Sequence, residues 1–341
     1  MSSNITGEFQ RLWKSYGFKK YKMRKFEEYS LYLQNKNFLQ SEYVITFNDL
    51  SGKLLALKPD VTLSILKNKS SDGDNQKLYY TESVYRLDKK AHSYKEIDQA
   101  GLEVIGSVGI TETVEVISLA LKSLALTGRG YTLDISHMGL LTSLVKEATE
   151  GDAELEREVL SFISMKNSHD LKKALGEKAE KLLRLVSLPR DTDSALKELS
   201  EIFGENKELS ELIRVISVLK ELGLGGVSLD FSIINDTEYY NGIVFRGYAK
   251  GAPRQVLSGG RYDRLADKFK KGQEALGFAI YLGELPAEKE TNSFDCDVLI
   301  ISSNPVSSVT LAETLRKTGK SVRIERTRPE NIRAKEVLEV E

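Results

Sequence analysis

At 341 residues, with 40% hydrophobic and 29% charged side chains, the chain is too long for one small module and too apolar for a disordered polyelectrolyte, so about two domains are expected. Its 49 Lys and Arg nearly balance 50 Asp and Glu; a formal charge of -1 excludes nucleic-acid binding driven by overall positive charge, and any RNA role requires a local patch. One cysteine, Cys296, excludes an intramolecular disulfide framework, and the dispersed His92, His137 and His169 argue against a metal centre.

The opening MSSNITGEFQ has polar residues and an acid where a secretory leader needs a basic start and an apolar stretch. No apolar run reaches the ~18 residues that span a bilayer, so a soluble, cytoplasmic protein is expected. Phe9, Leu12, Trp13 and Tyr16 recur at helical intervals and predict an amphipathic helix over residues 7–17. The next stretch, KKYKMRKFEEY, is able to touch phosphate but reads more simply as a solvated face.

Residues 43–135 read mainly as strands: YVITF, KLLALK, KLYYTESVYRL and YKEIDQAGLEVIG, then a helix TETVEVISLALKSLALTG and a strand YTLDIS. KNKSSDGDNQK, residues 67–77, is a polar loop. Strands in consecutive runs with helices set apart predict an α+β fold on an antiparallel sheet. Residues 139–222 change to helical spacing and predict a helical insertion, with Asp191, Thr192 and Asp193 capping the helix SALKELSEIFG. Strands resume with VSLDFSII, YYNGIVFRGYA and RQVLSGG, and ALGFAIYLGEL reads as a closing strand and helix. From Asp295 to Glu341, 47 residues form a strand-helix-strand piece, too short for a full nucleotide-binding domain and expected to be a truncated or appended module. The expected domains are 1–290, with the insertion at about 139–222, and 295–341.

Three segments hold the candidate chemistry. In LKPDVT, Asp60 and Thr62 are placed on one side of an extended stretch, a pair suited to an ammonium group; two polar residues at a strand end is the plainer reading. In SVYRLDKKAHSYKEIDQAGLEVIG, Arg86 offers a fork for a phosphate or carboxylate, or an ordinary surface ion pair, while Gln99 and Glu103 share one strand face. In NDTEYYNGIVFRGYAKGAPRQVLSGGRYDRL, Tyr239 and Tyr240 are adjacent, and Gly259-Gly260 permits close backbone approach or simply makes a hairpin turn.

In this order the segments resemble the histidyl-tRNA synthetase family of class II synthetases, and within it the branch of ATP phosphoribosyltransferase regulatory subunits, over about residues 7–135 and 223–290. GFKKYKMRKFEEYSLY is similar to the family's dimer-interface first motif, LKPDVT to its Arg-Pro-Glu/Asp-x-Thr element, and SVYRLDKKAHSYKEIDQAGLEVIG to its second motif. NDTEYYNGIVF and LSGGRYDRL are similar to the two histidine-specific signatures, and ALGFAIYLGEL to the third motif. The resemblance implies a class II synthetase-like sheet flanked by helices, with a histidine-like pocket formed by Asp60, Thr62, Arg86, Gln99, Glu103, Tyr239 and Tyr240.

The departures fall on the adenylation side. Asn235 stands where active enzymes of the family carry an Arg that stabilises the α-phosphate, and an amide supplies no cation. Glu284 stands where the third motif ends in an ATP-holding Arg, and the loop after Arg86 keeps Lys89, Lys90 and Lys95 but no Arg. Arg24 replaces the first-motif proline. The resemblance therefore implies a non-catalytic regulatory subunit in histidine biosynthesis, with no metal or cofactor. Its implied partner is the short-form ATP phosphoribosyltransferase catalytic subunit, joined by a homodimer within a hetero-oligomer, with histidine as effector. The C-terminal piece resembles the start of an anticodon-binding domain, and tRNA charging is not expected. Two rival readings remain: an amino-acid-activating enzyme, and an RNA- or protein-binding module on the same fold.

Overall fold

The computed structural model describes residues 2–35, 44–68, 75–88, 92–234, 239–286 and 294–340. The chain divides into two compact units, Met1–Pro286 and Ala287–Glu341.

In the larger unit, helix α1 (Ser2–Ser15) begins earlier than its apolar spacing announces and stops before Gly17, whose φ of +82° few L side chains adopt. Phe9 and Trp13 on its inner face are fully buried. Trp13 stacks on Phe9 at 5.6 Å, meets Tyr79 and Phe278 at 6.0 Å each, and donates its indole N–H to Ser123 Oγ at 3.1 Å. The basic stretch that follows forms β1 (Lys19–Lys20) and leads into β2 (Phe26–Glu28) and the short helix α2 (Tyr29–Gln34); Lys19, Lys20, Lys22, Arg24 and Lys25 are all exposed.

The main sheet runs β1, β5 (Gln76–Asp88), β6 (Ser93–Gly106), β11 (Glu274–Tyr281), β10 (Leu257–Arg261), β9 (Ile243–Ala249), β7 (Tyr131–His137), β8 (Val227–Leu229). Its body is antiparallel, as expected, while the edge pairings of β1 with β5 and β7 with β8 are parallel. A smaller antiparallel sheet sets β4 (Leu54–Leu57) between β2 and β3 (Thr46–Asn48). In β6 the strand period sorts side chains cleanly. Ala100, Leu102 and Val104 enter the core shared with α1 and α4 (Ile110–Ala125), whereas Gln99, Gly101 and Glu103 point to the other face.

Six helices follow β7: α5 (Met138–Thr149), α6 (Ala153–Ser164), α7 (Ser168–Leu175), α8 (Glu180–Val186), α9 (Thr192–Phe203) and α10 (Lys207–Glu221). Asp152, Asn167, Asp191 and Asn206 accept first-turn backbone N–H groups; of the residues expected to cap the helix SALKELSEIFG, Asp191 does so, while Thr192 and Asp193 belong to its first turn. Leu141, Leu182, Leu199 and Leu212 of these helices belong to the same apolar cluster as α4 and the sheet, so the segment is fused to the main core.

Local structure departs from the sequence expectations in four places. Asp60 and Thr62 do not lie on a strand: β4 ends at Leu57, and Thr62 opens helix α3 (Thr62–Lys67), since Pro59 cannot continue the ladder as a donor. Of the expected loop at 67–77, Lys67 belongs to α3 and Gln76 and Lys77 to β5. Gly259 and Gly260 lie inside β10 rather than at a turn; a Cβ on Gly259 would come within 2.4 Å of Gly277 O and 2.5 Å of Phe278 Cβ, so the pair serves close strand packing. After β11 only a single 3-10 turn, Leu282–Glu284, forms instead of a helix, ended by Pro286.

The smaller unit is a parallel sheet in the order β13 (Val322–Glu325), β12 (Cys296–Ile301), β14 (Ala334–Glu339) with helix α12 (Pro305–Lys317) packed on it. The expected strand-helix-strand piece lacked β14, an edge strand whose AKEVLE pattern is half charged and only partly buried. Among the described residues, no helix is long and apolar enough to cross a membrane.

Trp13 joins α1, α4 and the sheet, so Trp13→Ala is expected to lower the stability of the larger unit by about 3–5 kcal/mol in chemical denaturation. A loss below about 1 kcal/mol would contradict this packing role.

Candidate functional site

The face of the sheet away from α1 and α4 carries a buried polar cluster whose base is one cross-strand row. Glu103 of β6 pairs with Gly277 of β11, which pairs with Gly260 of β10. A Cβ at Gly277 would lie 1.7 Å from Glu103 Oε2, so only glycine lets the carboxyl lie across β11. There it accepts the Tyr262 hydroxyl on Oε2 at 2.6 Å and the Thr62 hydroxyl on Oε1 at 3.1 Å.

Glu103 is 3% exposed. Burial pushes its pKa up to about 8, opposed by the hydrogen bonds from Tyr262 and Thr62 and aided by the negative charge of Asp60. The carboxyl therefore keeps its proton to higher pH than a solvated glutamate does, and a cation placed beside it would oppose that shift. Tyrosines form the walls: the Tyr239 ring lies 4.5 Å from Tyr240 and 5.5 Å from Tyr262, with Tyr80 buried beside Glu103. Burial, reinforced by Asp60 and Glu103 for Tyr239 and chiefly by Tyr281 for Tyr240, raises their hydroxyls, and burial with Glu103 raises that of Tyr262. They remain neutral donors and π surfaces throughout the ordinary pH range.

Asp60 sits at the mouth of α3. Its Oδ1 accepts the Leu63 backbone N–H at 3.0 Å, and its Oδ2 faces Arg86 NH2 at 3.4 Å. Arg86 is further anchored by Nε donating to Pro59 O at 2.7 Å, while its side chain stays 42% exposed and reachable. Thus Asp60, Thr62, Arg86, Glu103, Tyr239 and Tyr240 come together in one pocket, although the first two are brought there by a helix start rather than a strand face. Gln99 is buried on the same face two steps along β6 from Glu103, between Glu82 of β5 and Tyr281 of β11. Tyr262, Tyr80 and Gly277 complete the pocket without having been chosen from the sequence. The signals were the Arg-Tyr-Asp run after two glycines and the Gly-Phe step in ALGF, each uninformative until register set them opposite Glu103.

The arrangement suits a small ligand combining a cationic or N–H-bearing planar group, received by Glu103 and the tyrosines, with an ammonium near Asp60 and Thr62. On the other side, Glu284 lies in the 3-10 turn after β11, with Oε1 4.0 Å from Arg254 NH1. Lys95 is paired with Asp88. Asn235, Lys89 and Lys90 lie outside the described residues. No group of His, Cys, Asp or Glu able to hold a metal ion occurs among the described residues.

Because the folded-state pKa of Glu103 is about 8 against an ordinary value of 4.5, the folded protein holds a proton that the unfolded chain releases between those limits. The contribution is complete below about pH 4.5 and declines as pH rises towards 8. Glu103→Gln is expected to flatten this part of the stability-pH profile in denaturation series; an unchanged slope would contradict the buried carboxyl.

A model of the histidyl-tRNA synthetase family matches residues 2–285. An ATP phosphoribosyltransferase regulatory subunit from Caldanaerobacter subterraneus subsp. tengcongensis is 33% identical over 290 residues, spanning 81% of this chain and 76% of that protein. One from Clostridium kluyveri is 31% identical over 299 residues, spanning 81% and 75%. A solved ATP phosphoribosyltransferase regulatory subunit/histidyl-tRNA synthetase from Bacillus halodurans superposes with a TM-score of 0.84 at 23% identity, covering 99% of this chain and 93% of that one. A chain from the Thermotoga maritima HisG:HisZ ATP phosphoribosyl transferase complex superposes with a TM-score of 0.67 at 22% identity, covering 83% and 97%. The fold is that of the class II synthetases, and the chain belongs to the histidyl-tRNA synthetase family, in its ATP phosphoribosyltransferase regulatory-subunit branch.

Proposed function

We propose that this chain is a non-catalytic regulatory subunit of ATP phosphoribosyltransferase that binds histidine in the Glu103 pocket and acts on a short-form catalytic partner in the cytoplasm. The observation that carries the reading is the asymmetry of the site. Its amino-acid half is intact around Glu103, Thr62 and Tyr262, whereas an acid, Glu284, occupies the end of the third motif where a cation would hold a polyphosphate. An acid there repels the tail of ATP.

In this reading the imidazole of histidine meets Glu103 and Tyr262 beside the paired rings of Tyr239 and Tyr240. Asp60, Thr62 and Gln99 receive its ammonium, and Arg86 pairs with its carboxylate. Binding converts the neutral Glu103 carboxyl into the partner of a cationic ring, a charge-assisted contact in a site shielded from water. Feedback follows by linkage: histidine that favours a less active assembly must itself bind more tightly to that assembly, by the same factor. The named HisG:HisZ complex of Thermotoga maritima supports the catalytic partner, and the first-motif segment supports a homodimer within the assembly. The domain division is proposed as 1–290, with a helical insertion at about 139–222, and 295–341.

Mixing this chain with a short-form ATP phosphoribosyltransferase is expected to give a co-eluting complex in size-exclusion chromatography. Calorimetry should detect histidine binding to the regulatory chain, weakened about tenfold or more by Tyr262→Phe or Glu103→Gln, the order expected for losing a buried hydrogen bond to a charged group. Histidine-dependent exchange of pyrophosphate into ATP by the purified chain would overturn the proposal in favour of an amino-acid-activating enzyme. RNA affinity that falls steeply with salt, with no partner binding, would favour the nucleic-acid module instead.

A further inference from the structure

Arg261 lies one residue before Tyr262 and outside the pocket, yet it is among the most heavily paired side chains of the larger unit. Its guanidinium, 15% exposed, meets Glu211 of α10 at 3.5 Å, Asp263 at 2.6 Å and Glu274 at the start of β11. Asp263 belongs to the first turn of α11 (Asp263–Phe269), so three elements converge on one fork. Their carboxylates are themselves fixed. Asp263 Oδ1 accepts from Ala275 N at 3.0 Å and Oδ2 from Asn241 Nδ2 at 3.1 Å, while Glu274 Oε2 accepts from Val108 N at 2.7 Å.

Asn241 closes the circuit. Its backbone N–H donates to Arg261 O at 3.1 Å and its side-chain oxygen accepts from Asp263 N at 2.8 Å. The segment before β9 that carries Tyr240 and the end of β10 that leads into Tyr262 are thus tied together by Asn241 and, through Asp263, to the same guanidinium. A single carboxylate would satisfy an arginine fork. Three from separate elements fix its position in space, and a hydroxyl-to-carboxyl contact of 2.6 Å tolerates little error in that position.

We propose that Arg261 is the positioning residue of this pocket: it holds the Tyr262 hydroxyl on Glu103 and, through Glu211, ties that contact to the helical segment. The proposal deepens the reading of the pocket as a histidine site by naming how occupancy there reaches α10. It gives a part of the fold distant from the ligand a direct electrostatic stake in how the pocket is set.

The test reads the carboxyl of Glu103 by carbon NMR in glutamate-labelled protein without ligand, its signal identified with Glu103→Gln. Thr62 and Asp60, Tyr80, Tyr239, Tyr240 and Tyr262 surround that carboxyl, and Arg261→Lys changes none of their charges. Arg261→Lys keeps the positive charge and loses the fork. It is expected to move the Glu103 midpoint upward by about 0.5 pH unit or more, because a displaced Tyr262 no longer stabilises the carboxylate. Tyr262→Phe should move it the same way, and adding Arg261→Lys to that variant should produce no further change, as for two substitutions acting through one contact. Glu211→Gln, at a partly exposed helix position, should give a smaller upward movement and decides the question should Arg261→Lys fail to fold.

An unchanged midpoint in folded Arg261→Lys, or a full additional shift on the Tyr262→Phe background, overturns the positioning role. An unchanged midpoint in Glu211→Gln overturns the link to the helices and, should Arg261→Lys fail to fold, the positioning role with it. Failure of the unmodified chain to bind histidine would sink the ligand reading alone, since the Glu103 titration requires no ligand.

Discussion

The site depends on one crowded contact, the carboxyl of Glu103 lying across Gly277. A side chain at that strand position would occupy the same space as Oε2, so the sheet has to offer glycine opposite glutamate for the carboxyl to reach Tyr262. Burial that complete would normally exclude a charge. The two hydroxyl donors lower the cost without removing it, and the carboxyl's pKa stays pushed up to about 8. A ligand bringing positive charge would favour the ionised form, which is the basis of the sensing role proposed for this site.

The remainder of the larger unit holds the row of strands that makes this possible. One face of β6 is committed to Ala100, Leu102 and Val104 in the core with α1 and α4, which prevents the register from slipping and keeps Gln99, Gly101 and Glu103 on the other. The helical segment shares that core through leucines of α5, α8, α9 and α10, so its position is coupled to the sheet by packing as well as by the Glu211–Arg261 pair.

Much of this was legible in the sequence, for identifiable reasons. Strands β5 and β6 announced themselves as apolar and aromatic runs bounded by polar loops, the helices after β7 by apolar residues at helical spacing and in one case by the cap at Asp191, and Gln99 and Glu103 by their even separation within one strand. What escaped was set by tertiary register. Nothing local in GRYD marks Tyr262 as a donor to Glu103, or in ALGF marks Gly277 as its floor, because each acquires its role from a residue more than a hundred positions away. Asp60 and Thr62 were recognised as a pair, yet Pro59 ends the extended run, and a helix start delivers them instead. The charged edge strand β14 lacked the alternation that a half-buried strand displays.

The central claim, that the intact amino-acid half of this site regulates a partner enzyme, is tested most directly by ATP phosphoribosyltransferase activity of a reconstituted pair titrated with histidine. The account predicts that the short-form catalytic subunit is activated by this chain and that histidine lowers the activity of the pair but not of the catalytic subunit alone, with the inhibition curve displaced to higher histidine when the chain carries Tyr262→Phe. Inhibition that is identical with and without this chain, or indifferent to Tyr262, would contradict it.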